Sequence, residues 1–101
     1  MNEDQDYLSI LRQLKKNPES NQREMASSLG FSLGKFNYCL KSLKKKGLVK
    51  INNFKKNPKK INYLYVVTPK GISEKTKLSI KFMQRKMKEY DELKNELERE
   101  K

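Results

Sequence analysis

A chain of 101 residues makes one domain with a modest core, and its 36% charged against 35% apolar side chains would suit a disordered chain were the apolar residues not periodic. With no histidine and a single cysteine, Cys39, an intrachain disulfide is excluded and a reducing compartment is the natural home. The formal net charge is +12, and it is unevenly spread: no acidic residue lies between Glu24 and Glu74, where eleven lysines run from Lys35 to Lys70. Residues 1–71 carry fifteen basic and five acidic side chains, residues 72–101 nine and seven. A one-signed middle suggests a polyanionic partner, nucleic acid first and an anionic membrane surface second. No apolar run approaches the ~18–20 residues of a membrane span, and the acidic start MNEDQDYLSI has no signal-peptide core, so the chain reads as cytoplasmic and soluble.

Residues 4–16 place Tyr7, Leu8, Leu11 and Leu14 at helical spacing, with Ile10 beside them and Lys15 and Lys16 where cations suit a helix C-terminus. Asn17-Pro18 stops that helix. Asn21 then serves as an N-cap, Glu24 completes a capping-box-like pair, Met25, Ala26 and Leu29 form a stripe, and Gly30 closes the second helix. Ser32 caps a third, over residues 32–46, which ends at Gly47. Its core stripe is Phe36, Leu40 and Leu43, while Lys35, Asn37, Tyr38, Lys41, Ser42 and Lys45 lie off it. Two short helices joined by a glycine-containing turn of three to four residues are a helix-turn-helix.

After Gly47 the period changes. Leu48, Val49 and Ile51 lead into NNFKKNPKK and then the β-branched and aromatic run INYLYVVT, which predicts a hairpin with a basic loop over residues 52–62. Tyr65 and Val67 are expected to face inward. A basic hairpin directly after a helix-turn-helix is a wing. Pro69 suits the first turn of a last helix, which no breaker interrupts after Gly71. Thr76, Ile80, Met83, Met87, Tyr90 and Leu97 form an imperfect heptad seam, interrupted by Lys94, with Leu93 alongside and mixed charges outside. The predicted fold is mainly α with a small β-hairpin (α+β). Residues 1–71 form the winged helix-turn-helix, and residues 72–101 a dimerisation helix, coiled-coil-like, too long to bury on so small a domain.

Enzyme readings fail on inventory, since no Asp or Glu occurs from position 25 to 73 and neither a GxGxxG nor a Walker A loop is present. No metal site and no cofactor is expected. A helix of this size fits the DNA major groove, where Asn37 can pair with adenine, Lys35 can reach guanine or phosphate, and Ser32 and Tyr38 can donate to either. Lys41 and Lys45 follow on the same helix. A lysine run is ordinarily a solvated face, but the missing acids shift Lys55, Lys56, Lys59 and Lys60 of the wing, and Lys44-Lys45-Lys46, toward phosphate contact. Ile80, Met83, Met87, Tyr90 and Leu97 are the candidate dimer interface. Cys39 reads as a packed small hydrophobe.

The stretch SNQREMASSLGFSLGKFNYCLKSLKKKGLVKINNF followed by YLYVVTPKGISEKT closely resembles the exopolysaccharide-associated subgroup of MarR regulators. SLGKFNYCLKSL, GLVK and VTPKG are its most specific parts. The resemblance implies a winged helix fold, a homodimer, double-stranded DNA as partner and transcriptional control, with exopolysaccharide genes as targets. By position, Ser32, Lys35, Asn37 and Tyr38 match the start of the recognition helix, and Lys55 to Lys60 the wing. Larger MarR proteins have about half again as many residues. With one C-terminal helix, this chain has little material for an effector cleft, which makes a small-molecule effector doubtful. The competing readings are a winged-helix module that binds protein in a larger complex and, more remotely, an RNA binder, for which no basic sheet displays stacking aromatics.

Overall fold

The computed structural model describes residues 3–18, 20–57 and 60–100, with side chains described outside residues 52–64. The element order is α1 (Glu3–Lys16), α2 (Gln22–Leu29), α3 (Leu33–Lys45), β1 (Val49–Asn57), β2 (Lys60–Val67) and α4 (Pro69–Arg99). This is the mainly helical winged fold with one small hairpin that the sequence predicts.

Polar caps mark where the short helices begin. Asn21 Oδ1 accepts the Glu24 N–H at 2.8 Å, and Ser32 Oγ accepts the Lys35 N–H at 3.1 Å. Gly30, at φ 71°, turns the chain out of α2 while the Phe31 N–H returns to the Ala26 carbonyl at 2.8 Å. Gly47, at φ 77°, does the same after α3, where the Leu48 N–H returns to the Leu43 carbonyl at 3.0 Å. The predicted third helix therefore ends slightly early, at Lys45, with Lys46 as its C-cap.

The core is contributed by every helix and by the base of the hairpin. Ile10, Leu11, Phe36 and Leu43 are fully buried, and Met25, Leu40, Leu48, Val49, Val67 and Leu78 close around them. β1 and β2 pair antiparallel, Val49 with Val67 and Ile51 with Tyr65, with an irregular register between Phe54 and Asn57. Val67 points inward as expected, and Tyr65 packs half-buried on the core.

The β2–α4 junction is tightly built. Thr68 caps α4 through its hydroxyl, which accepts the Gly71 N–H at 3.0 Å and donates to the Gly47 carbonyl at 2.7 Å. Gly71 sits so close to β1 that a Cβ there would lie 2.0 Å from the Leu48 carbonyl oxygen. Only a side chain of hydrogen fits. α4 is 31 residues long, about 46 Å, and its contribution to the core stops at Leu78 and the half-buried Phe82. From Met83 to Glu100 every side chain is exposed. Among the described residues no helix is long and apolar enough to cross a membrane.

Candidate nucleic-acid interface

Burial of Phe36, Cys39, Leu40 and Leu43 fixes which way α3 faces. Opposite that stripe lie Gly34, Tyr38, Lys41 and Lys45, spaced four, three and four residues apart and all exposed. Tyr38 is 67% exposed although it is a large aromatic residue, and nothing lies within 4 Å of where a Cβ on Gly34 would be. The result is an open, aromatic and basic face on a helix sized for a major groove. Ser32 is exposed at its start, and its oxygen already accepts from Lys35, which leaves the hydroxyl proton to donate outward.

The lysines of this region divide by geometry. Lys35 Nζ lies 3.3 Å from Asp6 Oδ2 of α1 and 4.2 Å from the Phe31 ring centre, so its charge is directed at its own domain. Lys46 Nζ sits 4.6 Å from the centre of the Tyr7 ring. Lys70 Nζ donates to the Lys46 carbonyl at 3.1 Å, neutralising the end of α3. Lys41, Lys44 and Lys45 are exposed and make no ion pair among the described residues. Asn37 is half-buried and two positions from Lys35, hence about 160° away around the helix. One groove register cannot centre both. Tyr38, Lys41 and Lys45 occupy the middle, with Asn37 at one edge and Lys35 at the other.

In the wing, Lys55 and Lys56 fall on β1 and Lys60 on β2, though their side chains lie outside the described residues, as does Lys59 altogether. Sequence reasoning passed over Lys50, which the strand alternation between buried Val49 and half-buried Ile51 turns outward. It also passed over Gln22, whose Nε2 donates to Tyr65 Oη at 3.1 Å and ties α2 to the wing. Only the strand period could have signalled the first. Nothing local signals the second.

Cys39 is buried in α3, and burial, aided by the carboxylate of Asp6 and opposed by Lys35, pushes its thiol up from the ordinary value. That is the environment of a packing residue. Burial also raises the Tyr7 phenol, which donates to Glu3 Oε1 at 2.6 Å. Among the described residues no group of His, Cys, Asp and Glu could hold a metal ion.

On α4, Ile80, Met83, Met87, Tyr90 and Leu97 are 50–66% exposed and share one side with Leu93. Between this row and α1 runs an apolar groove of about 460 Å³, lined by Leu8, Arg12, Phe82, Met83 and Met87 among others.

A family model described as winged helix-turn-helix DNA-binding matches residues 8–50, which run from α1 to the start of β1. No curated protein sequence matches the chain. Among solved structures, the transcriptional repressor CouR bound to a 23-mer DNA duplex is 26% identical, with a TM-score of 0.69 over 85% of this chain and 59% of that one. Staphylococcus aureus MarR in complex with salicylate and kanamycin is 17% identical, with a TM-score of 0.67 over 86% of this chain and 57% of that one. Lactococcus lactis ZitR, a zinc-responsive MarR family member, is 22% identical, with a TM-score of 0.61 over 92% and 60%. The chain thus shares the fold of MarR regulators while spanning under two thirds of their length.

Proposed function

We propose that this chain, with its winged helix-turn-helix DNA-binding domain, is a transcriptional regulator of the MarR type that binds double-stranded DNA as a homodimer. The observation that carries the reading is the exposed face of Tyr38, Lys41 and Lys45 on α3, in a fold shared with a repressor bound to a DNA duplex. α3 enters the major groove, and the wing, with Lys55, Lys56, Lys59 and Lys60, follows the phosphate backbone or minor groove. Residues 1–71 are the reading unit. Residues 72–101 supply the dimer contact through Ile80, Met83, Met87, Tyr90 and Leu97. The resemblance of SLGKFNYCLKSL and VTPKG supports exopolysaccharide genes as targets.

Selection of bound duplexes from a random pool tests this reading. A palindromic consensus is expected, with half-sites about one helical turn apart or a multiple of it, because two-fold protein symmetry imposes a dyad on the site. A search for that consensus upstream of exopolysaccharide genes then tests the target. A consensus without a dyad would contradict the dimeric reader, and no enrichment at all would favour a protein partner.

A further inference from the structure

The helix α4 hides a division that its small net charge conceals. From Pro69 to Lys88 it carries seven Lys or Arg and one Glu; from Glu89 to Glu100 it carries six Asp or Glu and two Lys or Arg. The sign changes between Lys88 and Glu89, in the middle of the exposed apolar row.

We infer that two copies of α4 pair antiparallel about a dyad between Lys88 and Glu89, each distal end seated in the groove between α1 and α4 of the other copy. This orientation rests on the homodimer proposed above and adds its geometry. The apolar row allows registers seven residues apart, and the charge pattern selects among them. The apolar row gives alternating spacings of three and four from Ile80 to Leu97, and antiparallel pairing stacks unlike positions of such a repeat. Setting Met87 level with the partner's Tyr90 brings Ile80 level with the partner's Leu97. The same register lays the basic stretch Lys77–Lys88 of each copy alongside the acidic stretch Glu89–Glu100 of the other. Charge therefore picks one of the alignments that the apolar spacing allows, with Met83 level with the partner's Lys94. A parallel pair would set the seven cations of one copy beside the seven of the other and Lys94 against its own counterpart in the seam, which is repulsive along the whole length.

The groove fits this occupant. In the chosen register the partner's Leu93 and the partner's Leu97, one turn apart, are level with Gln84 and Ile80 and so flank the apolar pair Phe82 and Met83 of the groove. Its cations, Arg12 and Lys86, meet a segment rich in Asp and Glu, and Lys86 lies level with the partner's Asp91. Lys81 is already bridged to Asp4 at 3.0 Å, an exposed ion pair that joins α4 to α1 within one copy. The arrangement also sets the spacing of the two reading units. The Leu78 anchors of the two copies stand about 31 Å apart along the paired helices, close to one turn of duplex DNA.

Disulfide mapping and label distances on the full chain test the orientation, with buried Cys39 left in place. In an oxidised Ile80→Cys, Leu97→Cys double variant, bonds should join position 80 of one copy to position 97 of the other. A spin label at Arg99→Cys, on the outer face and away from the seam, should report a separation of about 30–40 Å, against under about 20 Å for parallel helices. A dimer with bonds joining position 97 to itself, or with the short label distance, overturns the antiparallel arrangement and leaves the homodimer standing. A monomer by light scattering at tens of micromolar overturns both.

Discussion

Alanine in place of Gly71 should be among the most damaging single-methyl additions in this chain, although helix propensity alone predicts the opposite. Gly71 lies in the first turn of α4, where alanine gains at most about 1 kcal/mol over glycine. Against that stands a Cβ placed 2.0 Å from the Leu48 carbonyl oxygen and 2.7 Å from Val67 Cγ1. Ordinary contact begins near 3.4 Å, so the junction must open by about 1.4 Å. The Leu48 oxygen cannot swing aside cheaply, because it accepts the Thr68 N–H at 3.0 Å. Overpacking of this kind costs about 1–3 kcal/mol, at the upper end here because the obstacle is backbone. A net loss of about 2 kcal/mol corresponds to roughly 8–16 °C in a domain of this size. Gly34→Ala is the control: it also lies in a helix, but nothing stands within 4 Å of the added methyl, so it should stabilise by up to about 1 kcal/mol. Circular-dichroism melts of both variants decide the matter. If Gly71→Ala melts at or above the parent, the close approach of α4 to β1 is not what holds this junction.

Asn37→Ala should cost about 1–3 kcal/mol per half-site on the selected DNA with little change on scrambled duplex, read by fluorescence anisotropy; equal losses on both would place base reading elsewhere. Tyr38→Ala should weaken DNA binding while moving stability by no more than about 0.5 kcal/mol, since that side chain is 67% exposed, and a large drop in melting temperature would show a structural role. Neutralising Lys56 and Lys59 should weaken binding to both duplexes alike and flatten its salt dependence, because phosphate contacts release counterions irrespective of sequence. The raised thiol of Cys39 favours the protonated form in the fold, so its contribution is present below the unfolded thiol's pKa and is lost as pH rises through the folded value. Urea midpoints should therefore fall at alkaline pH and fall less in Cys39→Ala; identical pH profiles would remove Cys39 as the cause.

The helix-turn-helix was legible because its punctuation is local. Asn21, Gly30, Ser32 and Gly47 act through hydrogen bonds and dihedral angles within four residues of themselves, and each takes the role its residue type suggests. Phe36, Leu40 and Leu43 were equally legible from period alone. The partners of polar side chains were not. Nothing in the spacing of α3 announces that Lys35 meets Asp6, because the pairing depends on how α1 crosses it. The VTPKG junction was recognisable as a motif, but the need for glycine at its end lies in the carbonyl of Leu48, which only the folded hairpin brings near. In α4 the segregated charge was on view in the sequence, and a net count over the whole helix averaged it away.

The same geometry changes what the basic middle of the chain means. Taken as a sum, its lysines describe a surface waiting for an anion, yet three of them are engaged within the domain. Lys35 joins the first turn of α3 to Asp6, Lys46 lies over Tyr7 at the other end, and Lys70 holds the terminal Lys46 carbonyl from α4. α3 is thus tied to α1 at both ends and to α4 at one. Lys41, Lys44 and Lys45, exposed like Lys46 and Lys70, make none of these ties. Charge that ties the helix to its neighbours and charge without an ion pair or tie among the described residues therefore belong to different residues. For a helix that enters a groove, being held in advance limits the freedom lost, so Lys35, Lys46 and Lys70 would favour the binding proposed above through position as well as charge. On this account, removing Asp6 would loosen the reading helix even though its own charge opposes DNA.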